Sequence, residues 1–254
     1  MAQARTKSDQ KEIKIALTGN PNSGKTTIFN HLTGFHQRVG NYPGVTVEKK
    51  EGLVLYEGHH LQIVDLPGIY SLTPYSPEEL ITRRVLLEEK PDVVIDVLDA
   101  TNIERNLYLA TQLKELGVPL VLALNMSDEA RAQGIQFDLQ KLSALLGVPI
   151  VPTVGHKREG IGELLAAAVE VANATRDWRE VKINYGRDIE TELENIQRVV
   201  EEEGLLNGSY DARWVSVKLL EGDQDIIERV RADRVLTVSE EASRRLQKLL
   251  GDPP

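Results

Sequence analysis

The chain has 254 residues, of which 41% are apolar, and this is enough for one large domain or two with well-formed cores. Its formal net charge of −9 argues against a nonspecific nucleic-acid binder, whose electrostatic footprint is basic. The sequence has no cysteine, so it forms neither a disulfide nor a thiolate zinc site. We therefore expect a cytoplasmic protein without a nucleic-acid partner.

The N-terminal residues 1–11 are polar and predict a disordered tail, because they lack the apolar core of a signal peptide or anchor. No apolar run approaches the roughly 20 residues that span a bilayer. The sequence itself is therefore expected to be soluble.

A phosphate-binding loop follows the first predicted strand, 13–17. Its eight residues fit the pattern G-x-x-x-x-G-K-[ST], and a helix opens at Thr27. In such a loop the backbone N–H groups and the helix dipole face an anion, the lysine reaches the β- and γ-phosphates, and the final hydroxyl binds Mg²⁺. The predicted phosphate-binding residues are Gly19, Asn20, Pro21, Asn22, Ser23, Gly24, Lys25, Thr26 and Thr27.

Two more Mg²⁺ ligands are predicted farther along the chain. The segment 38–48 contains two glycines and a proline, which indicates a mobile switch loop, and its Thr46 is one candidate ligand. Such a loop orders with GTP and relaxes after hydrolysis. Asp65 ends the apolar strand 61–64 and opens Asp-Leu-Pro-Gly, so the strand delivers a carboxylate to the metal. These segments add Gly44, Val45, Thr46, Asp65 and Gly68 to the predicted nucleotide site.

The base-binding residues are predicted after the buried strand 118–124. There, Asn125-Met126-Ser127-Asp128 resembles the N-K-x-D motif of GTPases, in which the aspartate accepts hydrogen bonds from guanine donors that adenine lacks. Met126 keeps the stem of the usual lysine without its ammonium. In a second loop, Val154 and Gly155 replace the usual Ser-Ala pair, and together these departures predict fast GDP release. The predicted base site contains Asn125, Met126, Asp128, Val154, Gly155 and His156.

Several long motifs together resemble the cytosolic G domain of the FeoB family of bacterial ferrous iron transport proteins. The motifs are GNPNSGKTTIFN, VGNYPGVTVEKKEG, DLPGIYSLTPYSPEE and NMSDEA, and the resemblance covers about residues 12–172. The segments 183–186 and 212–214 are similar to the helical domain that follows in that family. The resemblance implies a GTPase domain at 12–174 and a helical regulatory domain at 175–254. It also implies a C-terminal membrane permeation domain as partner, at the cytoplasmic face of the inner membrane.

The predicted fold is α/β: a Ras-like P-loop GTPase domain whose mostly parallel sheet is flanked by helices, followed by a small all-helical domain. Helices are expected at 77–89, 103–116, 139–146 and 161–172, and the last strand at 149–151. From Ile189 onward, apolar residues recur at helical spacing. The pair His59-His60 is expected in a hairpin turn rather than in a metal site.

Catalysis is expected to differ from that of Ras-like enzymes, because Ile69 stands where they carry the glutamine that orients water. Hydrolysis then depends on backbone groups, Mg²⁺ and further positive charge, so slow turnover is expected. Related GTPases with an asparagine at the position of Asn22 imply a K⁺ ion held by Asn22 and by backbone carbonyls of 40–44. A loop-shaping role for Asn22 is the alternative. The predicted catalytic residues are Asn22, Lys25, Thr46 and Gly68.

Three functions remain open at this point. The favoured one is GTP hydrolysis that resets a switch for a membrane permeation domain. The second is a regulatory nucleotide-binding module with incidental hydrolysis. The third is an Era-type ribosome-assembly GTPase, but such proteins append a basic RNA-binding domain, whereas residues 175–254 hold 13 Lys or Arg against 18 Asp or Glu. Homo-oligomerisation is left open.

Overall fold

The computed structural model describes residues 12–34, 37–175, 182–204, 210–230 and 233–250. Its contacts divide the chain into two compact units, the first of residues 1–113 and 118–180 and the second of 114–117 and 181–254. The predicted tail, 1–11, lies outside the described residues. Within the described ranges, no helix combines the length and the apolar character needed to cross a bilayer.

The first unit is built on a sheet of seven strands. They are β1 (Ile13–Gly19), β2 (Gln37–Asn41), β3 (Glu48–Tyr56), β4 (His59–Asp65), β5 (Val93–Asp99), β6 (Leu120–Asn125) and β7 (Ile150–Pro152), in the order β2-β3-β4-β1-β5-β6-β7. The β2–β3 and β3–β4 pairs are antiparallel, and the other neighbours are parallel. Because parallel strands end at one edge, this topology gathers the residues that follow β1, β4, β6 and β7.

Helices cover the sheet. They are α1 (Lys25–Thr33), α2 (Pro77–Arg84), α3 (Ile103–Leu116), α4 (Ser127–Ala132), α5 (Leu139–Leu146) and α6 (Ile161–Asn173). Strands β5 and β6 are buried almost throughout, as expected of parallel strands packed on both faces. One core cluster joins the apolar residues of β1, β4, β5 and β6 to Ile28 and Phe29 of α1 and Leu164 and Ala168 of α6. The predicted fold class is confirmed.

Three local predictions need correction. The switch segment 38–48 is not a loop throughout, because its first residues belong to β2, which pairs with β3 from Gln37 to Asn41. The hairpin turn is Glu57-Gly58, both with positive φ (46° and 84°), so His59 and His60 begin β4 instead of occupying the turn. The helix predicted at 77–89 is α2 followed by a π-helical turn, Val85–Glu89.

The second unit is helical, as predicted. It contains α7 (Arg187–Glu202), α8 (Ala212–Leu220), α9 (Gln224–Val230) and α10 (Asp233–Leu250). Its buried positions follow helical spacing in α7, and Trp214 of α8 is fully buried and stacks on Tyr210 with ring centroids 6.0 Å apart. Arg213 donates two hydrogen bonds to Glu190 at 2.8 and 3.0 Å. Paired charges therefore accompany the apolar core of this unit.

Candidate nucleotide-binding site

The phosphate-binding loop connects β1 to α1 and contains two residues in the left-handed region of backbone conformation. Asn22 and Gly24 both have positive φ, 68° and 86°. Asparagine tolerates this left-handed region better than most residues. Gly24 has a further constraint, because a Cβ atom there would lie 2.2 Å from Asn125 Nδ2. The glycine therefore allows the loop to approach the strand end that carries Asn125.

A cleft of about 470 Å³ opens at this loop. Gly68 of the Asp-Leu-Pro-Gly segment completes its wall, since that segment runs beside the loop and Ile69 N–H donates to the Gly19 carbonyl at 3.1 Å. The volume lies within the range usual for ligand pockets. The residues around the cleft are Asn20, Pro21, Asn22, Gly24, Lys25, Thr26, Thr27 and Gly68.

The lysine of the loop and the carboxylate at the end of β4 meet in this cleft. Lys25 Nζ lies 2.5 Å from Asp65 Oδ1. Burial raises the pKa of Asp65, and the neighbouring Lys25 ammonium opposes that rise. The ion pair compensates for the lost solvation of a carboxylate that is only 8% exposed. Two of the predicted phosphate- and metal-binding groups are thus brought together as their strands predict.

Ile69 lies in the hydrophobic core and does not line the cleft. Its side chain is 2% exposed and belongs to the core. It therefore cannot orient a water molecule, both because it has no hydrogen-bonding atom and because it is buried. The next residue, Tyr70, carries the guanidinium of Arg105 over its ring, 4.0 Å from the centroid.

The predicted switch threonine stands apart from these groups. Thr46 is exposed, as are Gly44 and Val45, in the loop between β2 and β3. The loop is closed by a hydrogen bond from Tyr42 N–H to the Val47 carbonyl at 3.0 Å, and the Tyr42 side chain is buried. Burial raises the pKa of the Tyr42 hydroxyl. The structure anchors this loop at Tyr42 and does not place Thr46 in the cleft with Lys25.

Asn125, at the end of β6, joins the phosphate loop to the second base loop. Its Nδ2 donates to the Ser23 carbonyl at 2.9 Å, and its Oδ1 accepts from Gly155 N–H at 2.9 Å and from Thr153 Oγ1 at 3.3 Å. Asn125 is 3% exposed. Its role is therefore structural, since it fixes the two loops between which a base would lie.

Asp128 lies near the N-terminus of α4, and two residues of the second base loop approach it. Lys157 Nζ lies 2.8 Å from Asp128 Oδ2, and His156 Nε2 lies 3.6 Å from the same oxygen. The hydrogen bond from Lys157 is the main cause that lowers the pKa of Asp128. Asp128 is therefore an ionised acceptor with an ammonium already beside it.

Met126 and Val154, both predicted to line the base site, differ in their surroundings. The Met126 methyl group would lie 3.8 Å from a Cβ atom at Gly24, so its stem packs by the phosphate loop. Val154 is 2% exposed, and its backbone N–H and carbonyl are hydrogen-bonded to Glu159 and Lys157, so it lies in the wall of the loop and offers no free group to a ligand. The sequence did not predict helix α4, which carries Asp128. Thr153 and Lys157 were not part of the predicted site, although Lys157 directly follows the predicted His156.

The fold and the site define a class. A phosphate loop after β1, a carboxylate after β4 and an Asn-x-x-Asp sequence after β6, on this sheet order, are the arrangement of a Ras-like P-loop GTPase domain. The chain matches the family model described as ferrous iron transport protein B at residues 13–168, and the model described as the FeoB cytosolic helical domain at residues 185–254. It belongs to the FeoB family and corresponds to its N-terminal cytosolic region.

Relatives of known sequence agree with this assignment. The chain is 42% identical over 247 residues to the Fe(2+) transporter FeoB of Escherichia coli K12, which is 96% of this chain and 31% of that protein. It is 50% identical over 216 residues to an Fe(2+) transport protein A/Fe(2+) transporter FeoB fusion protein of Porphyromonas gingivalis, 84% of this chain and 26% of that protein. The chain thus spans about a third or less of the length of these relatives.

Solved structures are similar throughout. A mutant S. thermophilus NFeoB bound to mGDP superposes with a TM-score of 0.87 at 39% identity, over 95% of this chain and 92% of that one. The cytosolic domain of the T. maritima FeoB iron transporter in apo form gives a TM-score of 0.81 at 34% identity, over 94% and 98% of the two chains.

Proposed function

We propose that this chain binds and hydrolyses GTP, and that the hydrolysis resets a nucleotide switch for the membrane permeation domain of a ferrous iron transporter. The observation that carries the proposal is the juxtaposition at one sheet edge of a phosphate cleft with Lys25, a buried acidic group at Asp65 and a base acceptor at Asp128. The mGDP bound to the S. thermophilus relative supports the nucleotide assignment.

The phosphate end of the site fits a magnesium nucleotide. Thr26 at the start of α1 and Asp65 offer a hydroxyl and a carboxylate, which are the hard oxygen ligands that Mg²⁺ prefers. Mg²⁺, when bound, supplies neutralising charge to the phosphate oxygens. Lys25 then leaves Asp65 for the β- and γ-phosphates, so its ion pair with Asp65 exchanges for contacts to the nucleotide. Thr46 joins the ligands when the switch loop closes.

The Ile69 side chain cannot orient the attacking water, so hydrolysis depends on positive charge from other groups. Phosphoryl transfer depends mostly on positioning and electrostatic stabilisation, and the loop N–H groups, Gly68 and Lys25 provide part of both. Asn22 is exposed at the cleft in a left-handed conformation, where its amide oxygen is available as a K⁺ ligand. We infer slow, potassium-assisted turnover.

The base end selects guanine through Asp128. Asn125 holds Gly155 and Ser23 at fixed positions, so the two loops that flank the base are preorganised. The Gly155 N–H, which we assign to the guanine oxygen, donates to Asn125 Oδ1, so binding of the base requires exchange of this hydrogen bond. His156 lies on the same side as Asp128.

Membership in the family supports a biological setting for this chain. We place it at the cytoplasmic face of the inner membrane, with GTP, GDP and the permeation domain as its partners. The acidic helical unit, with 18 Asp or Glu against 13 Lys or Arg in residues 175–254, is unsuited to RNA and makes the Era-type alternative unfavourable. A purely regulatory module with incidental hydrolysis remains the second candidate, and the missing glutamine at Ile69 favours it.

Turnover in two salts tests the proposal. GTP and ATP hydrolysis are measured with Mg²⁺ in potassium chloride and in sodium chloride at equal ionic strength, for wild type, for Asn22→Ala and for Asn173→Ala, an exposed control at the end of α6. We expect GTP-specific turnover that potassium accelerates, and loss of the acceleration in Asn22→Ala alone. Equal rates in both salts would remove the potassium role, and GTP turnover no faster than the buffer blank would leave the regulatory module.

A further inference from the structure

We propose that Lys157 competes with the guanine base for Asp128 and thereby accelerates nucleotide release. The inference rests on the proposed function, because it concerns the regulation of the same site. It assigns a role to a residue that lies outside the phosphate loop, the metal ligands and the base-contacting residues described above.

The competition follows from the number of acceptor positions. Guanine presents two adjacent donors, the ring N–H and the exocyclic amine, to the two oxygens of one carboxylate. Oδ2 of Asp128 already accepts from Lys157 Nζ at 2.8 Å. Oδ1 is buried and accepts from no side chain of the described residues. Because Oδ1 is buried, an incoming base meets Oδ2, and an ammonium already engages that oxygen.

The surroundings of Lys157 favour exchange over permanent pairing. The lysine side chain is 50% exposed and Asp128 is 20% exposed, so the ammonium can leave into water without disrupting the core. Glu159, two residues along the same loop, also raises the pKa of Lys157 and offers a second acidic neighbour. Arg131 on α4 opposes the lysine with a like charge. When a base binds, the Lys157 ammonium can therefore move from Asp128 into water or toward Glu159, and it pairs with Asp128 again when the base leaves.

The consequence is a nucleotide-free state stabilised at the specificity residue itself. Breaking the Lys157–Asp128 pair opposes guanine binding, and re-forming it helps to expel GDP. Exposed ion pairs contribute modestly and are screened by salt, so the expected effect on GDP release is about two- to five-fold at low ionic strength.

Release of mantGDP tests the competition. Each protein is loaded with mantGDP and Mg²⁺ and chased with excess unlabelled GDP in a stopped-flow fluorimeter. We expect Lys157→Met to release mantGDP about two- to five-fold more slowly than wild type and to bind it correspondingly more tightly. Lys157→Arg retains a cation and should behave as wild type does. Lys141→Met, an exposed lysine of α5, is the control and should leave the rate unchanged.

The outcomes separate this inference from the proposed function. Unchanged release in Lys157→Met would overturn the competition, and faster release would show instead that Lys157 supports the bound base. Either result leaves guanine binding by the wild type intact. If wild type fails to bind mantGDP at all, the proposed function fails first. Raising the salt concentration should close the gap between wild type and Lys157→Met, and a gap that persists at 1 M salt would contradict an ion-pair origin.

Discussion

Asp96 provides a quantitative test of the packing beneath the nucleotide site. It lies in the middle of β5, in register with Thr18 of β1 and Leu122 of β6. Its side chain is fully buried, and neither carboxylate oxygen has a hydrogen-bond partner among the described residues. Burial raises the pKa of Asp96 from 3.8 to about 8, because an ionised carboxylate cannot be solvated there. Asp96 is therefore protonated in the folded protein at neutral pH.

The raised pKa makes folding stability depend on pH in a defined direction. Between the unfolded and folded pKa values, the folded state holds a proton that the unfolded chain has lost, so this group lowers stability as pH rises. The loss is about 1.4 kcal/mol for each pH unit, or about 3 kcal/mol between pH 5 and pH 7. It ceases to grow above about pH 8, where the folded protein also releases the proton.

Asp96→Asn removes this dependence while keeping the size of the side chain. We expect the free energy of unfolding of the variant, relative to wild type, to rise by about 1.4 kcal/mol per pH unit between pH 5 and pH 7. Urea unfolding followed by far-UV circular dichroism measures it. Glu163→Gln, on the exposed part of α6, is the control. A difference between Asp96→Asn and wild type that does not change with pH would refute the reasoning.

Three further predictions concern other parts of the molecule. Thr46→Ala should impair ordering of the switch by a GTP analogue while sparing GDP binding, and equal proteolytic footprints of wild type and variant with the analogue would contradict its assignment. Arg213→Met should destabilise the helical unit by about 2–4 kcal/mol, because Glu190 loses the guanidinium that pairs with it. Urea unfolding followed by far-UV circular dichroism measures this, and Arg213→Met/Glu190→Leu should recover part of the loss. Ile69→Gln should lower stability by about 1–3 kcal/mol without accelerating GTP hydrolysis, because the amide is buried rather than presented to water; faster turnover in a phosphate-release assay would argue against it.

The positions of the candidate phosphate and metal residues could be predicted because strand ends place them. Gly19 ends β1, Asp65 ends β4 and Asn125 ends β6, and parallel strands deliver all three to one edge of the sheet. Apolar runs identify those strands from sequence alone, since they are buried on both faces. The pairing of Lys25 with Asp65 then follows from the topology.

Strand β2 and helix α4 have no such apolar run in their sequences. Strand β2 has the sequence Gln-Arg-Val-Gly-Asn and is largely exposed, so backbone pairing with β3 defines it rather than burial. Helix α4 has six residues, too few for an apolar period to be visible. The contact between Lys157 and Asp128 joins side chains 29 positions apart and depends on how two loops meet. The sequence indicates both loops, but it does not indicate which of their side chains come into contact.

Base selectivity is the most direct test of the account. Fluorescence titration with mantGDP, mantADP and mantXDP is performed on wild type, on Asp128→Asn and on Glu129→Gln, the neighbouring acid of α4. The account predicts that wild type and Glu129→Gln bind mantGDP and discriminate against mantADP, and that Asp128→Asn shifts the preference to mantXDP. Equal binding of mantADP by wild type, or unchanged guanine preference in Asp128→Asn, would contradict it.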